Sequence, residues 1–409
     1  MPYARKIVNL KRDRPSYQEF IESFKIVNFI GQMVGLSPNE VREVNGSLEI
    51  RKCVFVRMLT VTLTAFYSWS VFYHASNPVM SNHYKGVSRF LDTMGLIVLE
   101  MTFYTILLSV TVKQKYFLEI SKDILKVDIL LFQLGERVNY KKEFQINLIT
   151  IGVLLTTMIC VYTIQYLNYY QSNIPYTVHA ALWIVPSIMM FTMLLQFSII
   201  VYSLKLRSSK LNNYVSKIIK SATKSNLSVI PYIDHDYENS RFTHDTLDNR
   251  VWDVSVIYDL ICEITKAVNE SYSLTVTVSL ISSCIFIAVG TYFIIPCMKD
   301  SVDLCQWTIL LGNCLGILLQ LLSIFMVTYC CNGAQDEVSI IARYGKIYKI
   351  KLGILKINTF SLQSLHQKVQ FTACGLFSID YTFIYLVLST VITYMVILMN
   401  NRNGKKYLT

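Results

Sequence analysis

One carboxylate set in an apolar run is the residue of this sequence best suited to binding chemistry. Glu100 follows Asp92 by eight residues, so on a helix the two carboxylates share nearly one face, about 12 Å apart along the axis. A carboxylate is costly in hydrocarbon, so Glu100 is expected to face a wet cavity or a partner such as a tyrosine hydroxyl. The alternative is a neutral, protonated Glu100 that only ties two helices together.

Aromatic side chains are frequent in the outward halves of the long apolar runs. The runs, and the basic residues that indicate which end faces outward, are given below. Rings with one polar edge suit a pocket for a small amphipathic molecule, although a ring at the water boundary also fits an interfacial belt. Gln165 and His179 add polar edges near the same level, where each could instead bond a neighbouring helix. The predicted ligand-binding residues are Tyr67, Glu100, Tyr104, Gln165, Trp183 and Trp307.

Metal, disulfide and catalytic chemistry have weaker support. The stretch DHDYENSRFTHD, residues 234–245, gathers His and carboxylates, but its spacing fits no ligand pattern, so a solvated loop without a metal is predicted. Cys297 and Cys305 flank a short turn that is predicted to lie outside the cell. They could form a disulfide there or remain two free thiols, and the sequence does not decide between these alternatives. No nucleophile and base, glycine-rich phosphate loop or carboxylate pair is present, so neither an enzyme nor a cofactor is predicted.

Composition identifies the elements that must position these residues. The 409 residues are 53% hydrophobic and 16% charged with a mean hydropathy of +0.41, whereas soluble proteins carry about 25% charged residues. The chain is therefore predicted to be a polytopic, all-α membrane protein. Seven runs are long enough to cross the bilayer: Val54–Ala75, Phe90–Val112, Ile146–Leu167, Val178–Leu204, Leu274–Pro296, Leu304–Tyr329 and Leu376–Met399.

The basic residues between these runs are distributed very unevenly. With Arg57 and Arg89 set aside at the edges of the runs, the segments before the first run and after the second, fourth and sixth hold nine, seven, nine and six Lys and Arg, against one, none, one and three in the opposite segments. The positive-inside rule then places the N-terminus in the cytoplasm and the C-terminus outside. Topology explains the net charge of +11, so no nucleic-acid partner is predicted, and the orientation is opposite to that of a G-protein-coupled receptor.

Helical periodicity continues beyond the runs on the cytoplasmic side. Amphipathic stretches follow the fourth run and precede the fifth and the seventh, with a loop predicted over SNLSVIPYIDHDYENSRFTHD. These stretches are expected to pack as an oligomerisation bundle. The predicted organisation is a cytoplasmic N-terminal segment 1–53, transmembrane helices 1–4 with the ligand pocket in 54–204, a cytoplasmic helix-loop-helix extension 205–273, transmembrane helices 5–6 in 274–329, cytoplasmic anchor helices 330–375, the seventh helix 376–399 and an extracellular tail 400–409.

The last run, within ACGLFSIDYTFIYLVLSTVITYMVILMNN, resembles the C-terminal region of insect gustatory receptors. The hallmark of that family is Thr-Tyr, five hydrophobic residues and Gln-Phe. Here Thr393 and Tyr394 precede five apolar residues, and Asn400 and Asn401 stand where Gln-Phe is expected. The upstream block around Asp380 also resembles the approach to the family's final helix.

The resemblance implies a ligand-gated, non-selective cation channel in the plasma membrane of taste neurons. It implies a homotetramer, or a heteromer with other gustatory receptors, with a ligand pocket in each subunit's outer half and a central pore lined by the last helix. Sugar receptors of the family place Glu after Thr-Tyr, where this chain has Met395, so a bitter or plant secondary compound is the expected tastant. The predicted pore residues are Thr393, Val396, Ile397, Asn400 and Asn401, and the other partners are permeating cations and membrane lipid.

Other functions are weighed against this one. An odorant-receptor-type channel shares the implied architecture, but the Thr-Tyr pattern favours the gustatory branch. A secondary transporter would be expected to contain inverted repeats with interrupted helices in corresponding halves. The odd number of runs, with Pro186 as the one proline in the middle of a run, argues against this function. For the two asparagines, the alternative is that the helix ends before Asn400 and both lie in the tail.

Overall fold

A computed structural model of the chain describes residues 17–37, 39–44, 47–76, 87–112, 114–171, 176–227, 237–297, 304–352 and 369–404. Nine helices and two short hairpins occupy these described residues. In chain order the elements are α1 (Tyr17–Met33), β1 (Asn39–Val44), β2 (Ser47–Lys52), α2 (Val54–Ser76), α3 (Val87–Val112), α4 (Gln114–Gln133), α5 (Tyr140–Gln171), α6 (Tyr176–Leu227), α7 (Tyr237–Cys297), α8 (Leu304–Leu352), β3 (Thr372–Ala373), β4 (Phe377–Ser378) and α9 (Tyr381–Gly404).

Six described helices are long and apolar enough to cross a membrane, and they correspond to the first six predicted runs. Their apolar parts are Val54–Tyr73, Thr93–Val112, Tyr140–Ile164, Leu182–Ile218, Arg250–Ile294 and Leu310–Tyr344, and α9 carries a shorter apolar stretch over Tyr381–Ile397. The sequence-based prediction of an all-α membrane protein is confirmed.

The central helix of the bundle is α6. Every residue from Met189 to Val201 is buried, so this helix contacts protein on all sides rather than lipid. Its 52 residues extend about 78 Å, far beyond the hydrocarbon thickness, and carry the fourth span onward into the helical extension. The predicted continuation of the fourth helix is therefore present.

Two ring contacts set the packing of α6 against α7. Trp183 meets Phe286 with ring centroids 5.4 Å apart, and Phe197 meets Tyr272 at 5.8 Å. The two contacts are fourteen residues apart on each helix, which identifies an antiparallel pair with a constant register.

The structure departs from the sequence-based prediction at three places. Residues 237–245, predicted as loop, form the first turns of α7, because a polar segment can extend a long helix where it does not have to bury an apolar face. Residues 114–133 form an amphipathic helix, α4, which the prediction from apolar runs does not include because its apolar residues are interrupted by charged ones. Residues 234–236 lie outside the described part of the chain.

The third departure is the start of the last helix. Residues 372–378 form the β3–β4 hairpin instead of an anchor helix, and α9 begins at Tyr381 rather than Leu376. Cys374 and Gly375 both have positive φ, at 52° and 73°, which closes the hairpin and stops a helix from forming there. Of the predicted anchor segment, the residues up to Leu352 are helical as the end of α8, and residues 353–368 are not among those described.

Candidate functional site

Three of the predicted ligand-binding residues lie together between α2 and α3. Tyr67 is fully buried, with its ring 4.2 Å from Phe103 and 6.2 Å from Tyr104. The Tyr104 hydroxyl lies 3.0 Å from Ser68 Oγ, which joins the two helices at the surface of the bundle. These residues, with Glu100, are called the α2–α3 cluster below.

Glu100 precedes Tyr104 by one helical turn and is half-buried. Among the described residues, Glu100 and Tyr104 act electrostatically on the Tyr67 hydroxyl, which is buried without a hydrogen-bond partner there. Within the part of the chain that the structure describes, the Glu100 carboxylate has no hydrogen-bond or ion-pair partner. The cluster therefore contains a carboxylate, Glu100, and a hydroxyl, that of Tyr67, that have no hydrogen-bond partner among the described residues.

The remaining predicted ligand residues lie elsewhere. Trp183 packs in the interior against Phe286 and Gly95, where an added Cβ at Gly95 would come within 3.0 Å of the indole ring. Trp307 is 57% exposed in the first turn of α8, and the side chains of Gln165 and His179 are outside the described part. The structure thus divides the six predicted residues into the α2–α3 cluster, an interior tryptophan and an exposed one.

A buried hydroxyl contact between α3 and α7 was missed by the sequence analysis. Thr102 Oγ1 and Ser282 Oγ lie 2.5 Å apart in the interior. Thr102 directly precedes Phe103 of the α2–α3 cluster. Ser279 and Ser283 lie one turn before and one residue after Ser282, and their buried hydroxyls have no hydrogen bond within the described residues. The i, i+3, i+4 spacing of these serines was the available signal.

The last helix presents two different faces. Phe383, Val387 and Val391 are buried against the bundle, whereas the predicted pore residues Thr393, Val396 and Ile397 are exposed. The helix continues through Asn400 and Asn401 to Gly404, so the alternative in which it ends before Asn400 is wrong. The side chains of both asparagines are outside the described part.

Hydroxyl groups line the exposed face of α9. Ser389 and Thr390 each donate to the Leu386 carbonyl, and Thr393 donates to the Ser389 carbonyl. Because each proton is used within the helix, the hydroxyl oxygens are left as acceptors on the outer surface. Exposed acceptors in a membrane helix suit a water-filled path or another protein surface better than lipid.

The β3–β4 hairpin joins α9 to α7. The Cys374 amide donates to Ser273 Oγ at 2.5 Å, and Ser273 Oγ donates to the Thr372 carbonyl at 3.3 Å. Phe371 is fully buried with its ring 6.2 Å from that of Phe197 on α6. The approach to the last helix is therefore fixed to the two central helices.

Asp380 begins α9 as its N-cap. Its carboxylate accepts hydrogen bonds from the Thr382 amide at 2.9 Å, from Ser378 Oγ at 2.7 Å and from the Thr382 hydroxyl. Partial burial alone would raise the pKa of Asp380, but the hydrogen bonds from Thr382 and Ser378 outweigh it and lower that pKa. Phe377 and Phe383 stack across the cap with centroids 4.8 Å apart.

A buried ion cluster lies at the end of the bundle that holds α4 and the start of α5, called the inner end below, which the charge pattern predicts to be cytoplasmic. Arg207 of α6 binds Asp128 of α4 through Nε and Nη2, at 2.9 and 2.8 Å, and Glu143 of α5 through Nη1 at 2.9 Å. Tyr140 donates to Asp128 at 2.8 Å. Burial raises the pKa of Asp128, while the guanidinium of Arg207 and the Tyr140 hydroxyl oppose that rise.

Further polar contacts connect α6 to its neighbours at the inner end. Asn212 Nδ2 donates to the Glu337 carboxylate at 2.6 Å, and Lys217 forms an ion pair with Glu136. Lys205 lies over the Tyr329 ring, 4.4 Å from its centroid. Together with Arg207, these side chains fix α6 to α4, α5 and α8.

The metal and disulfide predictions concern residues that are largely not described. Among the described residues, no group of three or more His, Cys, Asp or Glu is arranged to hold a metal ion. Residues 234–236 and the side chains of 237–245 are not described, and neither are the side chains of Cys297 and Cys305. The metal-free reading of 234–245 and the two alternatives for the cysteines therefore stay predictions.

Known proteins share both the sequence pattern and the fold of this chain. Over 92 residues it is 35% identical to gustatory receptor 68a of Drosophila melanogaster, and that alignment covers 21% of this chain and only 23% of the relative. Its fold is similar to that of the olfactory receptor OR5 of the insect Machilis hrabei, with a TM-score of 0.63 at 10% identity over 92% of this chain and 97% of that receptor. The same receptor in complex with eugenol gives 0.62 at 12% identity and the same coverage.

The family resemblance extends along nearly the whole chain. The sequence profile of the 7tm chemosensory receptor family matches residues 24–400, which include all the helices described from α2 to α8 and most of α9. These are receptors rather than enzymes, as the sequence analysis predicted. The chain therefore belongs to the 7tm chemosensory receptor family.

Proposed function

We propose that this receptor is a ligand-gated, non-selective cation channel that detects a small tastant, a bitter or other plant secondary compound. It acts in the plasma membrane of gustatory receptor neurons, as a homotetramer or as a heteromer with related receptors. Membership of the chemosensory receptor family and the local identity to a gustatory receptor support this proposal.

The exposed face of α9 is the observation that carries the proposal. The helix packs through the buried Phe383, Val387 and Val391, with Ile384 and Met395 partly buried beside them. Its hydroxyl-bearing face stays exposed among the residues that the structure describes. Four copies of that face around an axis would surround a path with the Thr393 hydroxyls and close it at the apolar Ile397 level. Opening would then require the ring of Ile397 side chains to widen or rotate.

A chain of contacts leads from the α2–α3 cluster to this helix. Phe103 adjoins Thr102, whose hydroxyl contacts Ser282 of α7. Ser273, more than two turns earlier on α7, holds the hairpin that starts α9. A ligand that shifts α3 against α7 thereby has a short mechanical route to the pore helix.

An odorant-receptor-type channel is the second candidate, favoured by the fold similarity to an insect olfactory receptor. The two candidates share the channel and differ in the stimulus. A panel of volatile odorants tested beside alkaloids, glycosides and sugars separates them by which class opens the channel at the lower concentration.

Excised patches test the channel directly. Membranes of cells that express the chain, perfused without GTP, should show a cation current when an agonist from the panel is applied. Untransfected cells and an Ile397→Trp variant, whose larger side chain should block the narrowest level, are the controls. A response that disappears whenever G-protein signalling is blocked would contradict the proposal.

A further inference from the structure

We infer that the seam between α2 and α3 binds the charged group of an amine ligand, with Glu100 as the counter-ion. This inference rests on the proposed function and gives the tastant a chemical class: an aromatic or apolar body that carries a protonated amine. Tyr104 and Trp69 beside the seam are exposed, so the ligand is assigned to the outer surface of the bundle rather than to the interior contact of Trp183 with Phe286.

Glu100 is the starting point because no described side chain neutralises it. It is the one charged residue between Thr93 and Val112, and no described side chain binds its carboxylate. Arg57, the one Lys or Arg of α2, precedes Tyr67 by ten residues, about 15 Å along the helix. An ammonium group from a ligand would offset the cost of placing this carboxylate in an apolar span.

The Tyr67 hydroxyl supplies a second contact. An ammonium carries three N–H donors, and a carboxylate next to a phenol oxygen can accept two of them. Tyr67 is fully buried and its hydroxyl has no hydrogen-bond partner among the described residues, so the amine reaches this oxygen only when the Tyr67 and Phe103 rings separate. Binding at the second contact therefore requires α2 and α3 to move apart, which links occupancy to conformation.

Exposed rings beside the cluster suit the body of such a ligand. Tyr104 is 40% exposed and Trp69 52%, and Ser68, which bonds the Tyr104 hydroxyl, directly precedes Trp69. Trp69 also stacks on Tyr73 with centroids 5.6 Å apart, which holds the indole plane in place. Ring faces attract a cation and bury an apolar body, so both parts of an aromatic amine are accommodated.

Matched probes isolate the charge. Phenethylamine and phenethyl alcohol share one ring and one chain length, and only the amine is charged at neutral pH. Binding of both, in tritiated form, is measured on membranes that carry the full-length receptor. The wild type should bind phenethylamine about tenfold more tightly than the alcohol, because a hydrogen bond to a charged group contributes on that order.

Substitutions test which residues cause the preference for phenethylamine over phenethyl alcohol. Glu100→Gln should remove the tenfold difference by weakening only the amine, and Tyr67→Phe should weaken the amine by about threefold through loss of one hydrogen bond. Glu119→Gln, which neutralises an exposed carboxylate on α4, is the matched control and should change neither affinity. If Glu100→Gln does not reach the surface, Glu100→Asp keeps the charge and should retain the preference.

The outcomes separate this inference from the proposed channel function. A wild type that binds both probes equally, or a Glu100→Gln receptor that keeps the amine preference, overturns the inference even if other compounds open the channel. Amine binding that depends on Glu100 but evokes no current in excised patches upholds the amine site and contradicts the channel.

Discussion

Arg207 and Asp128, 79 residues apart in the sequence, form a two-point ion pair in which neither side chain exposes more than 1% of its surface. Glu143 accepts from the same guanidinium, as does the backbone carbonyl of Ser203 one turn earlier on α6. One cation thus pairs with two buried carboxylates, and three helices meet at a point where all three charged side chains are buried.

Replacing Arg207 should damage the fold more than its single charge suggests. Arg207→Ala leaves Asp128 and Glu143 buried and unpaired, which should cost about 3–5 kcal/mol, and Arg207→Lys should also fail because an ammonium cannot make the two-point contact. The thermal midpoint of the detergent-solubilised receptor, followed by fluorescence-detected gel filtration, reports the loss. Lys220→Ala, on the exposed surface of the same helix, is the control. Equal midpoints for Arg207→Ala and wild type would show that the cluster does not stabilise the bundle.

The hairpin contact should transmit gating without holding the ligand. Ser273→Ala removes both hydrogen bonds to the hairpin, so ligand-evoked current should fall several-fold while agonist binding and surface expression are kept. Whole-cell recording together with a surface-labelling assay measures both. Ser339→Ala on α8, which also loses a hydroxyl bonded to backbone, is the matched control. Parallel loss of binding and current would instead place Ser273 in the ligand site.

The cap of α9 should depend on hydrogen-bond acceptance more than on charge. Asp380→Ala should destabilise the helix start by about 1 kcal/mol, whereas Asp380→Asn should retain most of the cap. Because its pKa is lowered, Asp380 adds stability above its ordinary value of 3.8, and that contribution is lost as the pH falls through the lowered pKa. The gap between the thermal midpoints of wild type and Asp380→Ala should therefore narrow only in strong acid. It should not close, because a protonated carboxyl keeps an acceptor oxygen, as an Asn side chain does. A gap that stays constant down to that pH would argue against an ionised cap.

The two asparagines at the end of α9 should set the resting leak. Asn side chains around an axis solvate cations better than the Phe of the family pattern, so Asn400→Gln plus Asn401→Phe should lower basal current and keep the ligand response. Ile397→Ser should raise basal current by making the apolar level polar. Leu388→Ser, on another exposed part of the helix, serves as the control. Basal current and ion permeability that are unchanged in both variants would remove these positions from the pore.

The orientation of the chain is tested with epitope tags. A tag after Thr409 should be labelled on intact cells and a tag before Met1 only after permeabilisation, because the basic residues gather on the N-terminal side. An internal tag after Gly135, at the inner end, should behave like the one before Met1. The reverse pattern would restore the orientation of a G-protein-coupled receptor.

The spans were predictable because the length and hydropathy of an apolar stretch are enough to indicate a membrane helix. The α2–α3 cluster was predictable in part, since Glu100 is conspicuous in an apolar run and Tyr67 and Tyr104 are rings at a similar depth. Arg207 was not: in the sequence it is one of nine basic residues after the fourth run, and only the packing of α4 and α5 shows that it is buried. The β3–β4 hairpin was missed because the apolar Leu376 and Phe377 read as the first turn of a span, whereas the backbone at Cys374 and Gly375 decides otherwise.

The contacts of α6 also constrain how the chain is made. Arg207 finds Asp128 and Glu143 on helices synthesised earlier, but Asn212 must wait for Glu337, 125 residues further along the chain. During translation, the amide of Asn212 is therefore expected to lack this partner until α8 emerges from the ribosome. A nascent receptor truncated before Glu337 should keep an unpaired polar side chain at the α6–α8 contact, which chaperones can recognise. Export from the endoplasmic reticulum would then await the end of synthesis.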